Sequence, residues 1–282
     1  MKDIILDTLL DSVKLLPFLF VAFLIMEYIE HKFSNKGKEK ISKAGKYGPI
    51  LGSILGAFPQ CGFSVMVTNL YATRIISVGT LISIYLSTSD EMLPILISEK
   101  ASISVIVKFL VIKILIGMLS GILIDFVLRK KENKKMNKIK DFCDEHKCNC
   151  SHGIIKSAIK HTINIMLFLL IITFILNLGF HYLGYDKISK LFLKGNLFSS
   201  FVSSFIGLIP NCASSVMLTK LYLENVISFS SCLSGLLTSS GVALLLLFRV
   251  NESKKENFKI LLTVYLIGAL SGSIIEIINL FL

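Results

Sequence analysis

The chain has 282 residues, 53% of them hydrophobic and 17% charged, with a mean hydropathy of +0.72 and a formal net charge of +11. That apolar content excludes an ordinary soluble domain and makes the bilayer the natural solvent. The Lys and Arg residues sit in short blocks between apolar runs, which reads as membrane topology and excludes a nucleic-acid-binding surface.

The first apolar run, roughly Leu9 to Ile29, is long enough to span a hydrocarbon core. It lacks a small-residue cleavage pattern and reads as a spanning helix rather than a signal peptide. A basic loop with Lys32, Lys36, Lys38, Lys40, Lys43 and Lys46 follows. Two short apolar pieces come next, about Gly48 to Phe58 and Phe63 to Ala72, joined by Pro59-Gln60-Cys61-Gly62. Each is about half a span, so they read as half-helices meeting within the membrane. Pro59 cannot donate a backbone hydrogen bond there, and Gly62 adds backbone freedom. The run Ile75 to Ile97 is interrupted by Ser87-Thr88-Ser89-Asp90-Glu91 and by Pro94, and Ser102 to Leu128 forms another span. After a linker over 129–151 the pattern returns. There is a span near Thr162 to Leu183, half-helices on either side of Pro210-Asn211-Cys212-Ala213, a broken span from Val226 to Phe248, and a span from Phe258 to Leu282.

The return is a register, not only a pattern. From Pro59 to Tyr71 against Pro210 to Tyr222, an offset of 151 residues, 8 of 13 positions are identical. The same offset, without a gap, sets Gly117 and Gly121 on Gly268 and Gly272, and Asp125 on Glu276. The chain reads as two copies of one unit: a first repeat over 1–131, a linker over 132–151 and a second repeat over 152–282. Segments assigned to the cytosol hold 19 Lys and Arg residues against 5 in those assigned outside. The positive-inside bias then puts both termini outside and the linker in the cytosol of a multi-pass cell-membrane protein. The first repeat begins outside and ends inside, and the second does the reverse. The expected fold is therefore an all-α membrane protein of two inverted repeats, about five transmembrane segments each, with broken helices meeting near the midplane.

Such breaks leave backbone groups that lipid cannot satisfy, so they must face protein or a cavity. Cys61 and Cys212, equivalent under the repeat, would come close to the central axis as a pair of thiolates for a soft ion. The alternative is that each packs as a small hydrophobe. Gln60 and Asn211 are matched amides that either offer carbonyl oxygens to a cation or cap helix ends. Ser64 and Ser215 match too, as hydroxyls beside the break or as helix-contact residues. Thr68 and Thr219 read as packing, and Cys232 as core. Asp90 and Glu91, two carboxylates inside an apolar run, mark an ion or proton path unless they lie shallow enough to meet water. Their counterparts are Gly241 and Val242, so the second repeat would supply neutral oxygens from Thr238, Ser239 and Ser240, alongside Ser87 in the first. Glu27, Asp125 and Glu276 near span ends read as solvated or snorkelling rather than catalytic. Lys113, within an apolar helix, is awkward, and serving as counter-ion to Asp90 or Glu91 is one reading of it. The linker carries Cys143, His146, Cys148, Cys150 and His152, which in a reducing compartment reads as a metal-contact segment, although the spacing matches no standard zinc finger. A basic loop with incidental cysteines is the alternative there.

At Pro59-Gln60-Cys61-Gly62-Phe63-Ser64, Leu86-Ser87-Thr88-Ser89-Asp90-Glu91 and Pro210-Asn211-Cys212-Ala213-Ser214-Ser215 the chain resembles a family of ten-helix heavy-metal exporters grouped with the organoarsenical-efflux permeases. The resemblance covers nearly the whole chain and implies ten transmembrane segments and export of a metal or metalloid. Some relatives are labelled manganese transporters. The organoarsenical permeases carry Cys-Ser-Cys-type motifs after Pro, where this sequence has a single Cys.

The leading expectation is a secondary transporter exporting a soft metal or metalloid, with Cys61 and Cys212 holding the substrate and Asp90 or Glu91 the coupling proton. A hard divalent cation such as manganese, held by oxygens, is the second expectation. A membrane enzyme or lipid-handling protein is the third, but His161 and His181 have no evident Ser or Asp constellation to complete a catalytic site. No cofactor is required, and the only metal expected is one transported or held by the linker. The partners are the bilayer, the substrate and a proton, without nucleic acid. Homo-oligomerisation is open on sequence grounds. Nothing resembles a nucleotide-binding loop, so energy would come from an ion gradient or a partner.

Overall fold

The computed structural model describes residues 47–58, 61–89, 92–132, 197–210 and 212–281, with Phe20, Leu24 and eight helical positions between 159 and 174. Among these residues the elements are helices, with no strand. Along the chain come α1 (Gly48–Gly56), α2 (Cys61–Ala72), α3 (Val78–Ser87), α4 (Met92–Ser98) and α5 (Ile103–Glu132). Then follow α6 (Leu197–Gly207), α7 (Cys212–Leu223), α8 (Phe229–Thr238), α9 (Ala243–Val250) and α10 (Lys254–Phe281). The first residues of α2, α3, α4 and α5 lie 151 positions before those of α7, α8, α9 and α10, and the ends of α1 and α6 keep the same spacing.

Two expected breakers behave differently from the reading of the sequence. Pro94 does not interrupt its apolar run, because it is the third residue of α4. In that first turn the N–H it lacks would have had no intrahelical acceptor. Gly62 is the second residue of α2, so the discontinuity falls before Cys61. Most of the first apolar run, most of Thr162–Leu183 and the linker with Cys143, His146, Cys148, Cys150 and His152 lie outside the described residues, as do Pro59, Gln60, Asp90, Glu91 and Asn211.

Within each set, three helices form a tight layer: α1, α3 and α5 in the first, α6, α8 and α10 in the second. Glycines make the approach close. A Cβ on Gly121 would stand 2.6 Å from the Gly79 carbonyl oxygen, and one on Gly272 2.9 Å from that of Ser230. In lipid, where apolar surface alone gives helices little reason to associate, such small-residue contacts supply the packing. The starts of α3 and α8 are fixed alike. The Ser77 and Ser228 hydroxyls accept from the N–H of Thr80 and Ser231 at 3.1 and 3.2 Å. Each donates in turn to a carboxylate on the long helix of its own set, Ser77 to Asp125 at 2.6 Å and Ser228 to Glu276 at 3.0 Å. Asp125 also accepts from Gly79 N–H at 2.9 Å. The expectation that Asp125 and Glu276 are merely solvated is corrected, since both are built into helix starts, where a negative charge is favourable.

The remaining helices cross between sets. α2 packs on α9, and α7 on α4. Each short helix that follows a Pro-x-Cys stretch therefore lies against the second piece of the other set's broken run. The core beneath includes Leu81, Ile84, Tyr85, Phe109, Leu218, Leu233 and Leu237. Outward, α5 exposes Val107, Val111, Leu115 and Phe126, and α10 exposes Leu262, Leu266, Leu270 and Ile274. That surface suits hydrocarbon. Ile103–Leu128, Phe229–Val250 and Lys254–Phe281 are long and apolar enough to cross a membrane.

Candidate functional site

The two interruptions of the apolar runs are where polar groups collect. The first lies at the end of α3, where its last residue Ser87 and the following Thr88 and Ser89 are all buried. The second runs from Ser239 to Val242 between α8 and α9, and Gly241 there has φ +55°, a left-handed conformation that glycine adopts without strain. Helix α3 stops because its chain turns extended at Thr88, with φ −54° and ψ 134°. Both runs thus expose helix C-terminal carbonyls in the apolar interior, and each must find a donor.

The donor they share is Lys113. It lies near the middle of the Ile103–Leu128 stretch and is only 1% exposed. Its ammonium donates to the Thr88 carbonyl at the end of α3, and at 2.8 Å to the Leu236 carbonyl in the last turn of α8. A cation at the negative ends of two helix dipoles is electrostatically well placed. The sequence reading noted Lys113 as awkward and offered Asp90 or Glu91 as partner. Those two residues lie outside the described set, and what the structure shows is an ammonium joining the two breaks.

A second link runs through Tyr85. Its hydroxyl lies 2.6 Å from Thr68 Oγ1 and donates at 3.3 Å to the Ala243 carbonyl, at the start of α9. The Ser64 carbonyl oxygen lies 2.7 Å from Thr68 Oγ1, so the single Thr68 proton serves either it or the Tyr85 oxygen, and the Ser64 and Thr88 hydroxyls are 2.8 Å apart. Ser64 is therefore tied to the first break, and Thr68, expected only to pack, joins the same chain of hydroxyls. Ser87 bonds back to the Ile84 carbonyl at 3.2 Å. Ser215 and Ser239 are buried, as their counterparts Ser64 and Thr88 are. The Ser240 hydroxyl is buried and has no hydrogen-bond partner among the described residues. Cys232 is buried in the core with its thiol 3.5 Å from the Leu218 carbonyl.

Cys61 and Cys212 are the first residues of α2 and α7, so the helix framework puts them at equivalent ends. Pro210 is a half-buried bend residue before α7. Among the described residues no group of three or more His, Cys, Asp or Glu is placed to hold a metal ion.

Away from the breaks, Arg74 ties the turn after α2 to the start of α10. Its guanidinium donates to both Glu256 carboxylate oxygens at 2.8 Å, and Tyr71 donates to Glu256 at 2.6 Å. Glu256 holds the Arg74 pKa above its ordinary value. The contact puts Arg74 and Glu256 at one level of the molecule.

A family model described as "Putative, 10TM heavy-metal exporter" matches residues 1–181, which is more than half of the chain. The chain belongs to this family. It is a multi-pass membrane protein of an exporter family, which is not an enzyme class. No curated protein and no solved structure matches it.

The reading of the sequence missed the two cross-links made by Lys113 and Tyr85. Tyr85 has Leu236 as its counterpart and Lys113 has Val264, so the repeat register gave neither a partner. The usable signal was depth, because a lysine in the middle of a span is too far in to snorkel.

Proposed function

We propose that this chain is a secondary transporter that exports a heavy-metal or metalloid species by alternating access between two inverted repeats. Both termini lie outside and the 132–151 linker in the cytosol, as the distribution of Lys and Arg directs. The observation that carries the reading is the paired construction of the breaks, each facing a short helix that begins at a Pro-x-Cys stretch of equivalent sequence. Interrupted helices with their ends turned inward are the means by which transporters bind cargo away from lipid.

Cys61 and Cys212 hold the substrate as thiolates, which selects a soft species. Gln60 and Asn211, with Ser64, Ser215, Ser87 and Ser239, contribute neutral oxygens around it. Asp90 or Glu91 carries a coupling proton. The linker's Cys143, His146, Cys148, Cys150 and His152 capture metal on the cytosolic side.

A second reading takes a hard divalent cation such as manganese. It is favoured by the side chains described at the breaks, Ser64, Thr88, Ser239 and Ser240, which offer only oxygen. Uptake of trivalent arsenicals, zinc, cadmium, copper(I) and manganese into inside-out vesicles separates the two. Wild type is expected to accumulate one soft species, and Cys61→Ser with Cys212→Ser to abolish it. Manganese uptake indifferent to the cysteine changes would transfer the site to the oxygen ligands, and uptake of no panel member would sink the metal assignment.

A further inference from the structure

Where transporters break a helix at the midplane, the exposed C-terminal carbonyls commonly hold a coupling cation such as sodium. Here the equivalent carbonyls are already engaged. Thr88 ends α3, Leu236 lies in the last turn of α8, and the Lys113 ammonium donates to both. The Leu236 carbonyl is available because the Ser240 N–H, its normal helical partner, turns to the Thr238 carbonyl at 3.0 Å. Lys113 comes from α5 of the first set, so one charge answers a break in each set. Its counterpart Val264 is fully buried and apolar, so the second set brings no such charge of its own from that position.

We propose that Lys113 is a tethered cation, its ammonium standing between the C-terminal ends of α3 and α8, the first pieces of the two broken runs, where a free coupling cation would otherwise be held. The inference rests on the transporter reading. Lys113 is a positioning residue in it: the ammonium sets how the two broken runs meet, and it makes flux independent of sodium. Lys113→Met keeps an unbranched stem in the packing and removes the charge. Truncating it to alanine leaves room for a small cation from solution.

Wild type, Lys113→Ala and Lys113→Met are compared for flux of whichever panel species the wild type carries, in sodium, in choline, and in choline with propylammonium. Propylammonium restores the atoms that the alanine change removes beyond Cβ. Wild-type flux is expected to be equal in sodium and choline. Lys113→Ala should fall roughly tenfold or more in choline, as for buried carbonyls losing a charged donor, and recover with sodium or propylammonium. Lys113→Met should stay low in all three. A sodium-dependent wild type, or Lys113→Met at wild-type flux, would overturn the proposal, as would an alanine variant that neither cation restores.

A second readout needs no cargo. The melting midpoint of detergent-solubilised Lys113→Ala should rise with propylammonium while that of wild type stays put, because only the variant has a place to bind it. No rise with either propylammonium or sodium would overturn the tethered cation even if metal flux is found. A rise without flux of any panel species would leave the cation site intact and remove the transporter reading instead. If Lys113→Ala does not accumulate in membranes, the wild-type sodium comparison and Lys113→Met decide.

Discussion

The two sets of described helices share a framework and differ in what crosses between them. Ser77 with Asp125 and Ser228 with Glu276 fix the same helix start twice, and Arg74 and Asn225 occupy the same left-handed turn, with φ 62° and 57°. Yet Lys113 and Tyr85, both from the first set, reach carbonyls of α8 and α9, while their counterparts Val264 and Leu236 are apolar. The framework is needed twice because each set must hold its own layer together in lipid. The polar crossings are needed once, because a single donor at the junction satisfies a break in each set.

That contrast can be broken at four places, taken from the largest expected effect down. At Gly207 an added methyl runs into the Gly235 backbone, whereas at Gly56 it meets first the rotatable Ser87 hydroxyl. Gly207→Ala should therefore destabilise by about 1–3 kcal/mol through overpacking, and Gly56→Ala by less, compared by melting of the purified proteins. Tyr85→Phe removes the hydroxyl between Thr68 and the Ala243 carbonyl, at a cost of about 1–2 kcal/mol. Tyr222→Phe is the control in the second set and should lose less, since the Tyr222 ring packs edge-on against Phe109 and is only partly buried.

The carboxylates under the helix starts come next. Asp125→Ala and Glu276→Ala should each cost about 0.5–2 kcal/mol, as for loss of an N-terminal cap. The larger loss should fall on Asp125, which also holds the Gly79 N–H. Equal losses would mean that the extra bond contributes nothing. Smallest is the turn. Arg74→Ala gives up an ion pair whose side chains are 39% and 27% exposed, so about 1 kcal/mol or less is expected. Asn225→Gly relieves a positive φ and should change stability by no more than a few tenths of a kcal/mol.

Much of the framework was legible because it repeats. The offset of 151 residues, read from Pro59 and Pro210, locates all five helix pairs, and the short apolar pieces beside each Pro are separate helices in the structure. Pro94 misled because its helical position is invisible without knowing where α4 begins, and a proline in a first turn breaks nothing. Asp125 and Glu276 were seen as a matched pair and read as solvated. The matching Ser77 and Ser228 were the missing half of the signal, and joining them requires knowing that α5 returns past the start of α3. Lys113 and Tyr85 act across sets, where neither periodicity nor the repeat register carries information. Ser64 stands in the sequence beside the Pro59 motif, but its hydroxyl reaches Thr88 at the end of α3, a contact that the motif itself does not announce.

The most direct test is of the inversion itself. Ser102 and Ser253 are exposed, equivalent under the repeat, and stand just before α5 and α10. In a background with Cys61, Cys143, Cys148, Cys150, Cys212 and Cys232 replaced, Ser102→Cys and Ser253→Cys would each be labelled in intact cells with a membrane-impermeant maleimide. Ser102→Cys is expected to label from outside, and Ser253→Cys only after permeabilisation. Labelling of both from the same side would contradict the inverted repeats and the alternating-access reading built on them.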